Sequence, residues 1–203
     1  ICLSLLLLSA CSDTDRMMKK IIKMATPKDT IAMGLKEALE SGTTQAVNKL
    51  ATKGGYRNSS MYHIASPAIL QNFTKQLRRF GFSSQVETFE NKMNEAAELA
   101  ASHATPILLD AIHNMTLEDS KTILMGPDNA ATEYFRKRTS ENLKREYMEI
   151  VQEKMSEIKL VPFFNSLIRK YNALAFSKPI KLDLEAYITE EALKGLFAII
   201  EKT

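Results

Sequence analysis

The sequence contains no tryptophan and only two cysteines, Cys2 and Cys11. Beyond Cys11 there is no thiol at all. That excludes a disulfide, a cysteine nucleophile and a Cys-based zinc site from the rest of the chain. Its stability must come from packing. Glycine and proline are also scarce, at seven and six residues, and most of them lie between periodic segments. No stretch alternates with the period of two that marks a strand, and no segment repeats. There is no glycine-rich phosphate loop and no Gly-x-Ser-x-Gly elbow. The net charge of +3 is mild, and no basic stripe is interleaved with aromatics, so no nucleic-acid partner is expected.

What remains is an apolar share of 45% over 203 residues, enough for the core of one ordinary domain. Ten methionines suit a helical core and identify no ligand. The chain starts at Ile1 and not at Met, so a few residues are expected to precede it. Ile1 to Ala10 is almost wholly apolar and too short to span a bilayer. It reads as the hydrophobic part of a secretory signal. Its end, Leu8-Ser9-Ala10-Cys11, resembles the lipobox of bacterial lipoproteins. In that family the cysteine becomes the new N-terminus and carries the acyl chains, and two or more chains anchor a protein firmly. Cys2 would leave with the signal. Ser12 follows Cys11, where an Asp would favour inner-membrane retention.

The expected organisation is a signal remnant and lipobox over 1–11, a tether over 12–28, and one all-α domain of about seven to nine helices over 29–203. In the tether, Met17, Met18, Ile21 and Ile22 can share a helical face opposite lysines, as an anionic membrane surface would require. Ile31, Leu35, Ala38, Leu39, Gly42, Ala46 and Leu50 fall on one face, which predicts a single helix through Gly42 to about Thr52. Lys53 to Ala65 reads as a loop that packs over the domain. Ser66-Pro67 opens the next helix, with Leu70, Phe73, Leu77 and Phe80 inside. Ser84 to Glu87 has the capping-box pattern; Val86, Phe89, Met93, Ala96, Ala97 and Ala100 follow. Ile107, Leu108, Ala111, Ile112 and Met115 are apolar enough for the central helix. Thr116 to Asp119 caps a short helix. A further helix from Asp128 carries Leu143, Tyr147, Ile150, Val151 and Met155 inward, and another opens at Val161-Pro162. Phe176 to Asp183 is a connector. Asp183 and Thr189 are read as caps of two final helices.

Met125 to Arg136 forms the corner of the chain. Gly126 can take a positive φ past a helix end, Pro127 can start the next helix, and Asp128 can accept from its free N–H groups. The polar residues singled out are Asn94, Glu98, Asp110, Asp128, Thr132, Tyr134 and Arg136. Asn94 and Glu98 share a face of an alanine-rich helix. If Glu98 or Asp110 meets Arg136, the result is a buried ion pair that fixes helix register or lines a pocket. Asp110 and His113 stand at i, i+3, a spacing that can bind a metal, but no second such pair exists, so no metal site is assigned. No cofactor and no catalytic residue is assigned either.

Four blocks carry a family resemblance: Gly34 to Leu39, Met93 to Glu98, Gly126 to Arg136 with Thr139, and Tyr187 to Phe197. Through them the chain resembles the uncharacterised bacterial family called domain of unknown function 4197, in a lipoprotein-type form. Glu95 stands where relatives often carry Arg. The stretch before Pro67 departs from the more proline-rich usual form. The resemblance implies a secreted or lipid-anchored helical domain and brings no established activity.

The preferred reading is a non-catalytic lipoprotein of the bacterial cell envelope. Acylated Cys11 would hold it to the outer membrane, facing the periplasm or the cell surface, where it binds an envelope protein or component. The alternative is a periplasmic carrier of an apolar ligand or lipid. That would require an enclosed apolar cavity above roughly 300 Å³. An enzyme would require at least two of Asp110, His113 and Glu98 to converge in an open cleft.

Overall fold

Long helical periodicities with few breakers become long helices. The computed structural model describes residues 27–174 and 180–203, and these contain helices and loops without a strand. In chain order the helices are α1 (Pro27–Ala51), a 3-10 turn (Ala68–Leu70), α2 (Gln71–Arg79), α3 (Ser83–Ala101), α4 (Ala104–His113), α5 (Leu117–Leu124), α6 (Ala130–Glu157), α7 (Leu160–Asn172) and α8 (Leu184–Ile200). The lipobox, the tether as far as residue 26, and residues 175–179 of the expected connector lie outside the described residues.

α1 runs unbroken through Gly42, as its periodicity predicts. Its first half is turned from the expected face. Ala32 is buried, whereas Ile31 is 57% exposed. In the second half Thr43, Ala46, Val47 and Leu50 face inward. α6 is one helix because its inner stripe never breaks: Thr132, Phe135, Thr139, Leu143, Tyr147, Val151 and Met155 are all buried. Thr139 and Ser140 do not interrupt it. Their hydroxyls donate back one turn, to the carbonyls of Phe135 (2.7 Å) and Arg136 (2.6 Å).

The centre of the fold is α3, not the 107–115 segment. α3 packs against α1, α2, α4, α6, α7 and α8. Its buried residues include Val86, Phe89, Met93, Ala96, Ala97, Ala100 and Ala101. Alanines let neighbouring backbones approach closely on several sides. α4 has larger apolar side chains but covers the bundle from outside, and Ile107, Leu109 and Ala111 are only partly buried. Aromatic rings join α3 to α2 and α7. Phe89 stacks on Phe164 at 4.9 Å, and Phe73 meets Phe164 and Tyr171 edge-on at 5.9 and 5.1 Å.

Helix ends follow local chemistry, with several departures from expectation. The Thr116–Asp119 capping box forms: Asp119 N–H donates to Thr116 Oγ1 (3.0 Å) and Thr116 N–H to the Asp119 carboxylate (2.9 Å). The Thr116 N–H and the Thr116 hydroxyl, both donating to it, hold the Asp119 carboxyl below its ordinary range. Asp183 caps α8 through Ala186 N–H at 2.9 Å. The Ser84 box does not form, because α3 starts at Ser83 and the Ser84 hydroxyl turns to the Gln85 side chain. Thr189 caps nothing: α8 runs through it and its hydroxyl is buried without a partner. Ser66-Pro67 leads into the 3-10 turn first, and α2 begins only at Gln71.

α6 and α7 are separated by Lys159, which has φ +56°. The Ile158 carbonyl at this junction accepts from Lys92 Nζ of α3. A side chain in the left-handed region costs about 1 kcal/mol that glycine does not incur. Lys159→Gly should therefore raise stability by up to about 1 kcal/mol in urea unfolding. A clear loss would show that the Lys159 side chain contributes more than its backbone costs.

Candidate functional site

The site begins where α1 stops. Gly54 has φ +90°, and a Cβ on Gly55 would run into the carbonyl oxygens of Leu50 and Lys49. Two glycines thus let the chain fold back over the end of α1. The loop that follows drives Tyr56 and Ile64 into the core. This burial creates a problem, because buried backbone groups outside a helix still need hydrogen-bond partners.

α3 supplies them from one stripe of side chains. Glu98 Oε1 accepts from the N–H groups of Tyr56 (3.2 Å) and Arg57 (2.9 Å). One turn earlier, Asn94 accepts from Ile64 N–H (2.8 Å) and donates to Ile64 O and Glu90 O (both 2.8 Å). One turn earlier again, the Glu90 carboxylate accepts from Ser66 Oγ (2.9 Å) and Arg78 Nη2 (2.8 Å). Glu90, Asn94 and Glu98 stand at i, i+4 and i+8, so the loop is zipped down α3 in reverse order. Extending the Asn94–Glu98 spacing by one more turn would have found Glu90, which the sequence reading missed.

α8 holds the loop from the other side. The Tyr56 hydroxyl donates to Ala192 O at 2.8 Å, and the Tyr187 hydroxyl to Ala65 O at 2.7 Å. Gly195 makes room for the Tyr56 ring, since a Cβ there would lie 2.8 Å from Tyr56 Cε1. Burial raises the Tyr56 and Tyr147 hydroxyls well above the ordinary tyrosine range, and Tyr187 is pushed up to about 12 chiefly by the same cause. The Tyr147 hydroxyl lies near that of Tyr56 but makes no hydrogen bond of good geometry. Acids that resist ionisation in the fold stabilise it fully below their unfolded values. That contribution falls as pH rises above the ordinary tyrosine range.

Between this loop and α3 opens a cleft of about 650 Å³, lined by Ala51, Lys53, Arg57, Asn91, Glu98 and Leu99 among others. The other residues singled out from the sequence do not join it. Asp110 accepts from Asn114 Nδ2 at 3.0 Å and lines a separate recess of about 170 Å³ with Tyr134 and Arg138. The Tyr134 hydroxyl donates to Ala111 O at 3.0 Å. Arg136 pairs with exposed Glu133 at 3.3 Å and lies over the Phe197 ring, so neither Glu98 nor Asp110 meets it. Asp128 is exposed, and α6 starts after Asn129 with no side-chain cap; Thr132 is buried in the first turn of α6. Gly126 does not take the expected positive φ; it makes the corner tight by lacking a Cβ, which would lie 2.7 Å from Ala130 Cβ and 2.8 Å from Thr122 O. His113 bonds Glu40 at 3.1 Å, away from Asp110's partner. Among the described residues, no three His, Cys, Asp or Glu side chains gather as metal ligands would.

These elements define an all-α domain with a buried loop laced to its central helix. The chain belongs to the family described as Protein of unknown function (DUF4197), whose model matches residues 25–203. Searches of the curated proteins and of the solved structures found no match.

Three substitutions test the lacing. Asn94→Ala strands both backbone groups of Ile64 and should cost about 3 kcal/mol in chemical unfolding. Tyr56→Phe should cost about 1 kcal/mol, by loss of the bond to Ala192 O. Tyr147→Phe removes a buried hydroxyl without a partner and should be neutral or slightly stabilising. A reversed order for the two tyrosines would contradict the assigned bonds.

Proposed function

We propose that this chain is a lipid-anchored protein of the bacterial cell envelope whose helical domain binds a partner and does not transform it. The observation that carries the anchor is Leu8-Ser9-Ala10-Cys11 directly after an apolar run, followed by a short tether. α1 begins at Pro27, so the tether leads straight into the folded domain. No helix among the described residues is long and apolar enough to cross a membrane, so attachment there would fall to Cys11.

The geometry supports binding over catalysis. Glu98 is committed to the loop backbone, Asp110 to Asn114 and His113 to Glu40, so the three residues on which a reaction would depend do not share a cleft. It also supports binding over carriage of an apolar ligand. The inner faces of the helices meet in a filled core, and the larger clefts open to solvent. Apolar surface is instead displayed outward. Leu117 and Leu124, seven residues apart on α5, are 58% and 50% exposed.

Membrane fractionation with metabolic palmitate labelling tests the anchor. The wild-type chain should be labelled and sediment with membranes, and Cys11→Ser should be unlabelled and soluble. A Cys11→Ser chain that stays with the membrane would contradict the proposal.

A further inference from the structure

We propose that the cleft between the 53–58 loop and α3 binds a small zwitterion, an amino acid or short peptide with a free ammonium and a free carboxylate. This gives the binding module above a ligand class. It rests on the binding reading and not on the anchor, so the two fail separately.

The lining of the cleft carries opposite charges that do not meet. Lys53 and Arg57 come from the loop, Glu95 and Glu98 from α3. Some opposite charges elsewhere on the surface do pair, as Arg78 does with Glu90 at 2.8 Å and Lys154 with Glu157 at 2.8 Å. Here, among the described residues, the side chains of Lys53, Arg57 and Glu95 make no hydrogen bond or ion pair. The side-chain amides of Asn58 and Asn91, in the same lining, are equally unpartnered.

Glu98 is the distinctive member. Its residue is only 7% exposed. Oε1 is occupied by two backbone N–H groups, which fixes the side chain in place. Oε2 makes no hydrogen bond, yet it is not among the fully buried atoms that lack a partner. It therefore reaches the cleft. A carboxylate oxygen held rigid and largely shielded from water is a strong acceptor for an ammonium. The free cations of Lys53 and Arg57 complement a carboxylate. A ligand of one charge sign would be repelled by half of this lining, whereas one bearing both signs satisfies all of it. Ala51 and Leu99 add an apolar floor. The volume of about 650 Å³ falls within the range of small-molecule sites.

The test titrates the full chain in mild detergent with the tripeptide Ala-Ala-Ala, followed by amide NMR and calorimetry. Its N-acetylated and C-amidated forms serve as controls. The free tripeptide should bind saturably with a Kd below about 1 mM and shift amides around Ala51, Arg57 and Leu99. Each capped form should bind about tenfold more weakly. Arg57→Ala, whose side chain makes no bond in the fold, should weaken binding about tenfold, as should Glu98→Gln, while Arg136→Ala leaves it unchanged. No saturable binding up to about 10 mM, equal binding of all three peptides, or shifts confined to another face would each overturn the proposal.

Discussion

Everything about this fold depends on one constraint: a loop that is pulled inside must have its peptide groups satisfied there. Tyr56 and Ile64 supply the apolar pull, but their burial would strand backbone donors at a cost of about 1–3 kcal/mol each. Asn94 and Glu98 remove that cost from a single stripe of α3, and Glu90 on the same stripe holds the Ser66 hydroxyl at the end of the loop. The same stripe explains why α3 is central. A helix that packs its alanines against several neighbours and also carries the acceptors for a loop keeps only a narrow stripe, including Thr88, Glu95 and Leu99, for solvent. Tyr56 and Tyr187 then tie the loop to α8, so the chain's middle and its last helix are joined through a segment with no regular structure.

Much of this architecture could be read from the residues. The all-α class, the unbroken helix through Gly42 and the caps at Thr116 and Asp183 each rest on local chemistry that the structure repeats, whereas Gly126 makes its corner through a missing Cβ and not through the expected positive φ. The central helix could not be read in the same way. Hydrophobicity pointed to Ile107–Met115, because large apolar side chains weigh heavily in any periodic pattern. Burial in α3 is achieved instead by small residues and by two polar ones, Asn94 and Glu98, whose presence lowers its apparent apolarity. Thr189 misled in the opposite direction. A threonine before two glutamates has cap chemistry, but tertiary packing carried α8 straight through it.

The polar residues divide along a similar line. Asn94 and Glu98 were paired by helical spacing, and spacing is preserved in any helix. A meeting of Arg136 with Glu98 or Asp110 would have required knowledge of how α3, α4 and α6 lie against each other, which no local pattern contains. In the fold Arg136 turns outward to Glu133 and Phe197. The loop that completes the cleft was legible only as a loop that packs. Its role as the partner of Glu98 depends on Gly54 and Gly55 reversing the chain at the end of α1.

The lacing itself is open to direct measurement by native-state amide hydrogen exchange at Tyr56, Arg57 and Ile64. If Glu98 and Asn94 hold these three N–H groups inside the domain, they should exchange as slowly as the amides in the middle of α3, though they belong to no helix. Exchange at the rate of an open surface loop would contradict the account.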